Sequence, residues 1–183
     1  MALSDSIAYT RTNLQPRRKT AIITLKRSEL IYDIQNRAML VARGFDSGDN
    51  FKDISLMQPG DDENDLDMLA RSLNTAFDDI AEALFAFCKT SAEDGTERDD
   101  SISLPESYIL QLTIPDDYSD TSVRRLVNIM HEYMVCLALA DWLTATYPAA
   151  AEQWIVRKDQ AINNLRRTVQ KRIRRVRRTM SPL

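Results

Sequence analysis

The hydrophobic positions of this chain recur mostly at the spacing of an α-helix. Apolar residues three or four positions apart form stripes that predict four helices, over residues 26–43, 64–89, 119–147 and 148–180. The second stripe is close to a heptad repeat, so we expect it to pack against another helix. Its members are Leu66, Leu69, Leu73, Phe77, Ile80, Leu84 and Phe87.

Residues at the ends of these stripes predict where the helices begin and end. Ser119 and the aspartates around it supply cap oxygens and negative charge at the start of the third helix. Gly44 suits the position just after the first helix. Pro148 disfavours a helical Tyr147 and is itself favoured in a first turn, so the fourth helix begins there. We expect the last two helices to form a hairpin, because each stripe must be buried; one kinked rod is the alternative.

Two segments depart from the helical pattern. Residues 108–114 alternate between apolar and mixed positions, which predicts a β-strand closed by Pro115. Its partner is open: the 45–60 segment, the N-terminal segment or a strand of another subunit. Residues 1–24 are polar and interrupted by proline, and we expect an arm that either frays or docks on a neighbouring subunit.

Together these elements predict a mainly α protein. We expect a bundle of about four helices, two of them long and C-terminal, with one short strand or hairpin and an extended N-terminal arm. We divide the chain into the arm (1–24), a helical domain (25–165) and an arginine-rich helical extension (166–183). A length of 183 residues fits one core with extensions, and four glycines and six prolines are few for an all-β fold.

Charge is strongly segregated along the chain. The net charge of −3 hides a balance of +5 over residues 1–43, −16 over residues 44–120 and +8 over residues 121–183. We call these the first basic block, the acidic block and the second basic block. Such blocks suit a molecule that meets other molecules, or copies of itself, through opposite charges. Neutralisation within one monomer is the alternative.

Motifs for catalysis or metal binding are incomplete. His131 opens an HExxH-like sequence whose second histidine position is Val135, and an EF-hand fails because Leu66 stands where glycine is required. Cys88 and Cys136 are far apart, and we expect reduced thiols. We therefore expect no enzyme activity, cofactor, metal or small-molecule substrate. A ligand pocket beside Trp142 or His131 would favour an enzyme or a regulator instead.

Nothing in the sequence predicts membrane association. No apolar run reaches the length of a membrane span, and the N-terminus lacks the basic and then apolar segments of a signal peptide.

The C-terminal end carries the densest positive charge. Its basic residues are Arg166, Arg167, Lys171, Arg172, Arg174, Arg175, Arg177 and Arg178. Because arginine donates paired hydrogen bonds to carboxylates and phosphates, we expect this patch to bind a partner protein or nucleic acid. A solvated helix end is the third interpretation. In the N-terminal arm, Arg17, Arg18 and Lys19 are the corresponding candidates for a subunit contact.

Three stretches resemble those of phage head–tail connector or adaptor proteins, the helical subunits that ring the portal. The stretch LKRSELI at residues 25–31 and DDENDLDML at 61–69 are similar to the helix starts of their N-terminal half. The stretch MVCLALADWL at 134–143, followed by Tyr147-Pro148 and Trp154, resembles the alanine- and aromatic-rich helices of their C-terminal half.

The resemblance implies a virion protein without catalytic activity. It would form a homo-oligomeric ring of about a dozen subunits between portal and tail, located in the virion neck and assembled in the host cytoplasm. Portal and neck or tail proteins would be its partners, with possible non-specific contact to DNA. A nucleic-acid-binding accessory protein that uses the basic C-terminal helix is the alternative function.

Overall fold

The computed structural model describes residues 7–11, 18–44, 58–60, 62–88, 105–116 and 118–170. This part of the chain forms four helices and three strands, which confirms the prediction of a mainly α protein. In chain order they are β1 (Ile7–Arg11), β2 (Arg18–Lys26), α1 (Arg27–Gly44), α2 (Glu63–Ala83), β3 (Ser107–Pro115), α3 (Asp120–Thr146) and α4 (Pro148–Val169).

Helix α3 is the centre of the molecule, with α1, α2, α4 and β2 packed around it. Every residue from 133 to 140 is buried, so this stretch of the helix is covered on all sides. A helix that is apolar all round is stable in water only when neighbouring elements enclose it. Toward its N-terminus the cover is incomplete, since Arg124, Arg125 and Asn128 are exposed.

Helices α3 and α4 form the predicted hairpin. Ser119 caps α3 by accepting a hydrogen bond from the Thr121 N–H at 3.2 Å, and Pro148 lies in the first turn of α4. The Tyr118 hydroxyl donates to the Thr168 carbonyl oxygen at 2.7 Å. This contact places the start of α3 beside the end of α4, so the two helices are antiparallel. Burial raises the pKa of Tyr118 to about 12.

The stripe of α2 packs against α3, as its heptad-like spacing predicts. The helix ends earlier than expected, at Ala83 rather than near residue 89. A turn follows, in which the Phe87 N–H donates to the Leu84 carbonyl oxygen at 2.8 Å. Leu84 is still fully buried, so this residue of the stripe packs in the core although it lies in a turn and not in the helix.

The strands form one antiparallel sheet in the order β1-β2-β3. Alternate residues of β2 and β3 face the helices: Ala21 pairs with Leu112, Ile23 with Leu110 and Leu25 with Tyr108. On its other edge, β3 bridges to Cys88. The partner of the 108–114 strand is therefore the N-terminal segment of the same chain.

The N-terminal arm is shorter than the sequence predicts, because residues 18–24 belong to the central strand. Ala21, Ile23 and Leu25 alternate with more exposed residues, and this period of two buries one side of the strand. Lys19 forms a 3.0 Å ion pair with Asp120 at the start of α3. Within residues 1–17, the structure describes only the backbone of β1.

Among the described residues, α3 is the one helix with the length and composition to cross a membrane. Its most apolar window has a mean hydropathy of 1.2, and 72% of that window is buried inside the structure. The core helix of a soluble protein and a membrane span both meet this criterion, and the burial fits the core position that α3 occupies here.

The α2 stripe gives a direct test of this packing. We expect Leu73→Ala to lower the free energy of unfolding by about 2–5 kcal/mol, because Leu73 is fully buried and its truncation leaves a cavity. Leu40→Ala on α1 is the matched control: Leu40 is 62% exposed, so its loss should change stability by less than about 0.5 kcal/mol. Urea unfolding measures both, and equal losses would contradict this arrangement.

Candidate functional site: a polar furrow beside α3

A bidentate ion pair fastens α1 to the incompletely covered side of α3. Arg37 donates two hydrogen bonds to Glu132, from Nη1 to Oε1 at 2.9 Å and from Nη2 to Oε2 at 2.6 Å. This geometry matches the planar fork of guanidinium to the two oxygens of a carboxylate. The hydrogen bond from Arg37 is the main reason that the pKa of Glu132 lies below its usual range.

Trp154 brings α4 into the same cluster. The guanidinium carbon of Arg157 lies 4.9 Å from the centre of the Trp154 ring, and that of Arg37 lies 5.9 Å from it. Both distances suit a cation–π contact. Three helices thus meet through Arg37, Glu132, Trp154 and Arg157.

Three adjoining depressions surround this cluster, and together we call them the α3 furrow. The first, of about 460 Å³, lies between α1 and α4 and includes Arg37, Trp154 and Arg157. The second, of about 330 Å³, lies between α3 and α4, and we call it the α3–α4 groove. The third, of about 360 Å³, lies between α1, α3 and β2 and includes His131.

The α3–α4 groove combines positive charge with carboxamides. Its floor contains Ile129 and Ala161, whose apolar atoms are flanked by polar side chains. The polar side chains are Arg125, Asn128, Glu132, Arg157, Gln160 and Asn164. Because Glu132 is already bound to Arg37, the two remaining charged groups are both arginines.

The His131 depression has the opposite charge balance, since Glu29, Asp33 and Glu132 line it. The His131 Nε2 lies 3.6 Å from Asp33 Oδ2. Burial lowers the pKa of His131 more than the nearby carboxylates raise it, so the ring is mainly neutral at pH 7. No group of three potential metal ligands occurs among the described residues.

Cys136 adds a thiol to the cluster but not a nucleophile. Its Sγ lies 3.5 Å from Glu132 Oε1, where the thiol donates to the carboxylate. Burial, and then the charge of Glu132, raise the pKa of Cys136 to about 12. Since the thiolate is the reactive form, this thiol stays protonated and unreactive at neutral pH.

Four of the candidates from sequence are described by the structure, and the Arg37–Glu132 pair is not among them. Arg166 and Arg167 are exposed in the last turn of α4. Lys19, through Asp120, lies at the start of α3, which the Tyr118–Thr168 contact places at the same end. Arg18 is exposed at the beginning of β2. The remaining candidates, Arg17, Lys171, Arg172, Arg174, Arg175, Arg177 and Arg178, lie outside the described residues.

Sequence reasoning missed the furrow. Arg37 and Glu132 are 95 positions apart, and no local pattern connects them. Two signals were present: Arg37 interrupts the apolar side of α1 between Ile34 and Ala38, and Trp154 stands three positions before Arg157 on one side of α4.

No family model matches the chain, no curated protein matches it in sequence, and no solved structure matches it in fold.

The Arg37–Glu132 pair yields a test by double-mutant cycle with Arg37→Met and Glu132→Gln. We expect a coupling of about 1 kcal/mol at pH 7 from urea unfolding, because the pair is bidentate but only half-buried. The pKa of Glu132 is lowered in the folded state. The contribution of Glu132 to the free energy of unfolding is therefore complete above about pH 4.3, the pKa of an unfolded glutamate. It is lost as the pH falls through the lower pKa of Glu132 in the folded state.

The exposed Lys26–Glu29 pair on β2 and α1, at 3.5 Å, is the control and should give a smaller coupling, near 0.3 kcal/mol. Equal coupling in the two pairs, or an Arg37–Glu132 coupling that persists when Glu132 is protonated, would contradict the role given to this contact.

Proposed function

We propose that this chain is a structural subunit of a protein assembly without catalytic activity, a phage head–tail connector or adaptor. In this proposal identical subunits form a ring in the virion neck, assembled in the host cytoplasm, which contacts the portal on one side and tail or neck proteins on the other. The observation that supports the proposal is the segregation of charge along the chain, which the ion pairs between described residues leave largely unneutralised.

Ion pairs between described residues do little to join the charge blocks. Lys19–Asp120 links the first basic block to the acidic block. In three other pairs, Arg37–Glu132, Lys158–Asp159 and Lys26–Glu29, the acid itself belongs to a basic block. These pairs therefore neutralise none of the acidic block. Charge that is left unpaired on the surface of one subunit is available for contacts with another molecule.

The acidic block places negative charge on the outer side of α2. Asp62, Glu63, Asp78 and Glu82 are exposed there, and none forms an ion pair with a described residue. The second basic block places positive charge at one end of the hairpin, where the N-terminus of α3 lies beside the C-terminus of α4. Its exposed members there are Arg124, Arg125, Arg166 and Arg167.

The α3 furrow also favours binding over reaction. The two depressions beside α4 are open to the surface, and the carboxylate of Glu132 is held by Arg37. The depression beside His131 is where the alternative, an enzyme or a regulator, would bind its ligand. Arginine, tryptophan and carboxamide side chains are residue types that protein interfaces use for anchoring and hydrogen bonding.

Non-specific nucleic-acid binding is the second candidate function. It is favoured by the four exposed arginines at one end of the hairpin, because guanidinium groups bind phosphates in the same bidentate way as carboxylates. Such binding would weaken steeply with salt, since each neutralised phosphate releases counterions.

The proposed ring is tested by sedimentation velocity of the purified chain over a dilution series at low and high salt, followed by negative-stain microscopy. We expect a closed oligomer of uniform size whose assembly weakens as salt screens the opposite charges. A chain that stays monomeric in every condition would contradict the proposal. Monomers that bind duplex DNA of any sequence, with loss of binding at high salt, would favour the second candidate.

A further inference from the structure

The α3–α4 groove carries two arginines that have no ion-pair partner among the described residues. Arg125 is exposed on α3, and Arg157 is exposed on α4 across the groove. Glu132 is held by Arg37 through two hydrogen bonds, and its charge also acts on Arg157 but leaves Arg125 without an ion pair. The groove therefore presents positive charge over an apolar floor of Ile129 and Ala161.

Arg157 is held in place for binding. Its guanidinium lies over the face of Trp154, which is itself 5% exposed and fixed in the core. Stacking occupies the face of the guanidinium but leaves the N–H groups in its plane free to donate. A side chain that is already ordered loses less conformational entropy when a carboxylate binds to it.

The same chain carries a complementary surface at the C-terminal end of α2. Asp78 and Glu82 are exposed one turn apart, about 6 Å along the helix axis, and no cation pairs with them among the described residues. Phe85 follows three positions later with 69% of its surface exposed. We call these three residues the α2 edge: two carboxylates followed by an apolar aromatic ring.

One subunit cannot place its own α2 edge in its own groove. Tyr133 donates a 2.6 Å hydrogen bond to Asp79, so α2 lies against the Tyr133 side of α3. Glu132, the preceding residue, points about 100° away around the helix, toward the groove. Asp78 likewise points away from Asp79, toward the outside. The edge and the groove thus belong to different sides of the molecule.

We propose that the α3–α4 groove of one subunit binds the α2 edge of a second copy of this chain. Asp78 and Glu82 would accept hydrogen bonds from Arg125 and Arg157, and Phe85 would cover the apolar floor. A helix laid in the groove between two other helices is a common recognition mode. Because the contact joins two different surfaces, it is head-to-tail and generates a closed ring or an open filament. This inference rests on the proposed ring function and specifies its subunit contact.

Charge reversal tests the pairing. We expect Arg125→Glu to weaken self-association at least about tenfold, a loss of about 1.4 kcal/mol, in sedimentation velocity at about 0.1 M ionic strength. The control is Arg43→Glu, which makes the same charge change at an exposed site of α1 that lines none of the three depressions. It should change association less than about twofold, because it removes no hydrogen-bond donor from the groove and solvent screens an exposed charge outside the contact.

Reversal of the α2 edge, by Asp78→Arg with Glu82→Arg, should also weaken association, whereas Glu152→Arg at an exposed site on α4 should not. Mixing the Asp78→Arg with Glu82→Arg variant with a variant that carries both Arg125→Glu and Arg157→Glu should restore association, because the acidic groove of one then faces the basic edge of the other. Circular dichroism and thermal unfolding establish that each variant is folded.

Several outcomes would overturn the pairing. Wild-type assembly that is indifferent to both reversals would exclude this contact while leaving the proposed ring intact. Equal effects of Arg43→Glu and Arg125→Glu, or a mixture that fails to associate, would also exclude it. Loss of duplex DNA binding in Arg125→Glu, with self-association unchanged, would assign the groove to nucleic acid. A wild-type chain that never associates would remove both the pairing and the ring.

Discussion

The burial of α3 is the constraint on which the rest of the structure depends. A helix that is apolar on every side has to be enclosed, and here α1, α2, α4 and the sheet together enclose residues 133–140. That requirement explains why two segments far apart in sequence, β2 and β3, pair beside it, and why α4 folds back along it. Each neighbour buries its own apolar stripe by covering part of the same central helix, so the described core is one continuous cluster.

The incomplete cover of α3 leaves exposed the surface that we propose for binding. Over the first part of α3 the polar residues Arg125, Asn128 and Glu132 replace apolar ones, and the flanking helices leave shallow depressions instead of closing over them. The Arg37–Glu132 pair then joins α1 to α3 where packing alone does not, and Trp154 holds Arg157 at the rim. The Arg37–Glu132 and Trp154–Arg157 contacts therefore stabilise the fold and also order the side chains that a partner could bind.

Much of the fold was predictable because it depends on local spacing. The stripe around Leu73 and the break at Pro148 predicted the helices and the hairpin turn to within a few residues, apart from two helix ends. Helix α2 ends early, and the end predicted for the fourth helix, at residue 180, lies outside the described residues, in which α4 ends at Val169. The central strand was missed because the alternation around Ile23 is short and follows a polar, proline-containing segment. The Arg37–Glu132 pair was missed for a different reason: it depends on how α1 packs on α3, and residue spacing along one helix carries no information about a partner 95 positions away.

Helix α3 is enclosed in its second half, and we propose that it receives a partner along its first half. Hydrogen exchange measured by mass spectrometry on dilute and concentrated protein tests both parts at once. We predict that amides of residues 133–140 exchange slowest in both samples, through global unfolding only. On association, peptides from the first half of α3, the middle of α4 and the end of α2 should gain protection together. Fast local exchange within 133–140 would contradict the enclosure of α3, and protection confined to other surfaces such as β1 would contradict the proposed pairing.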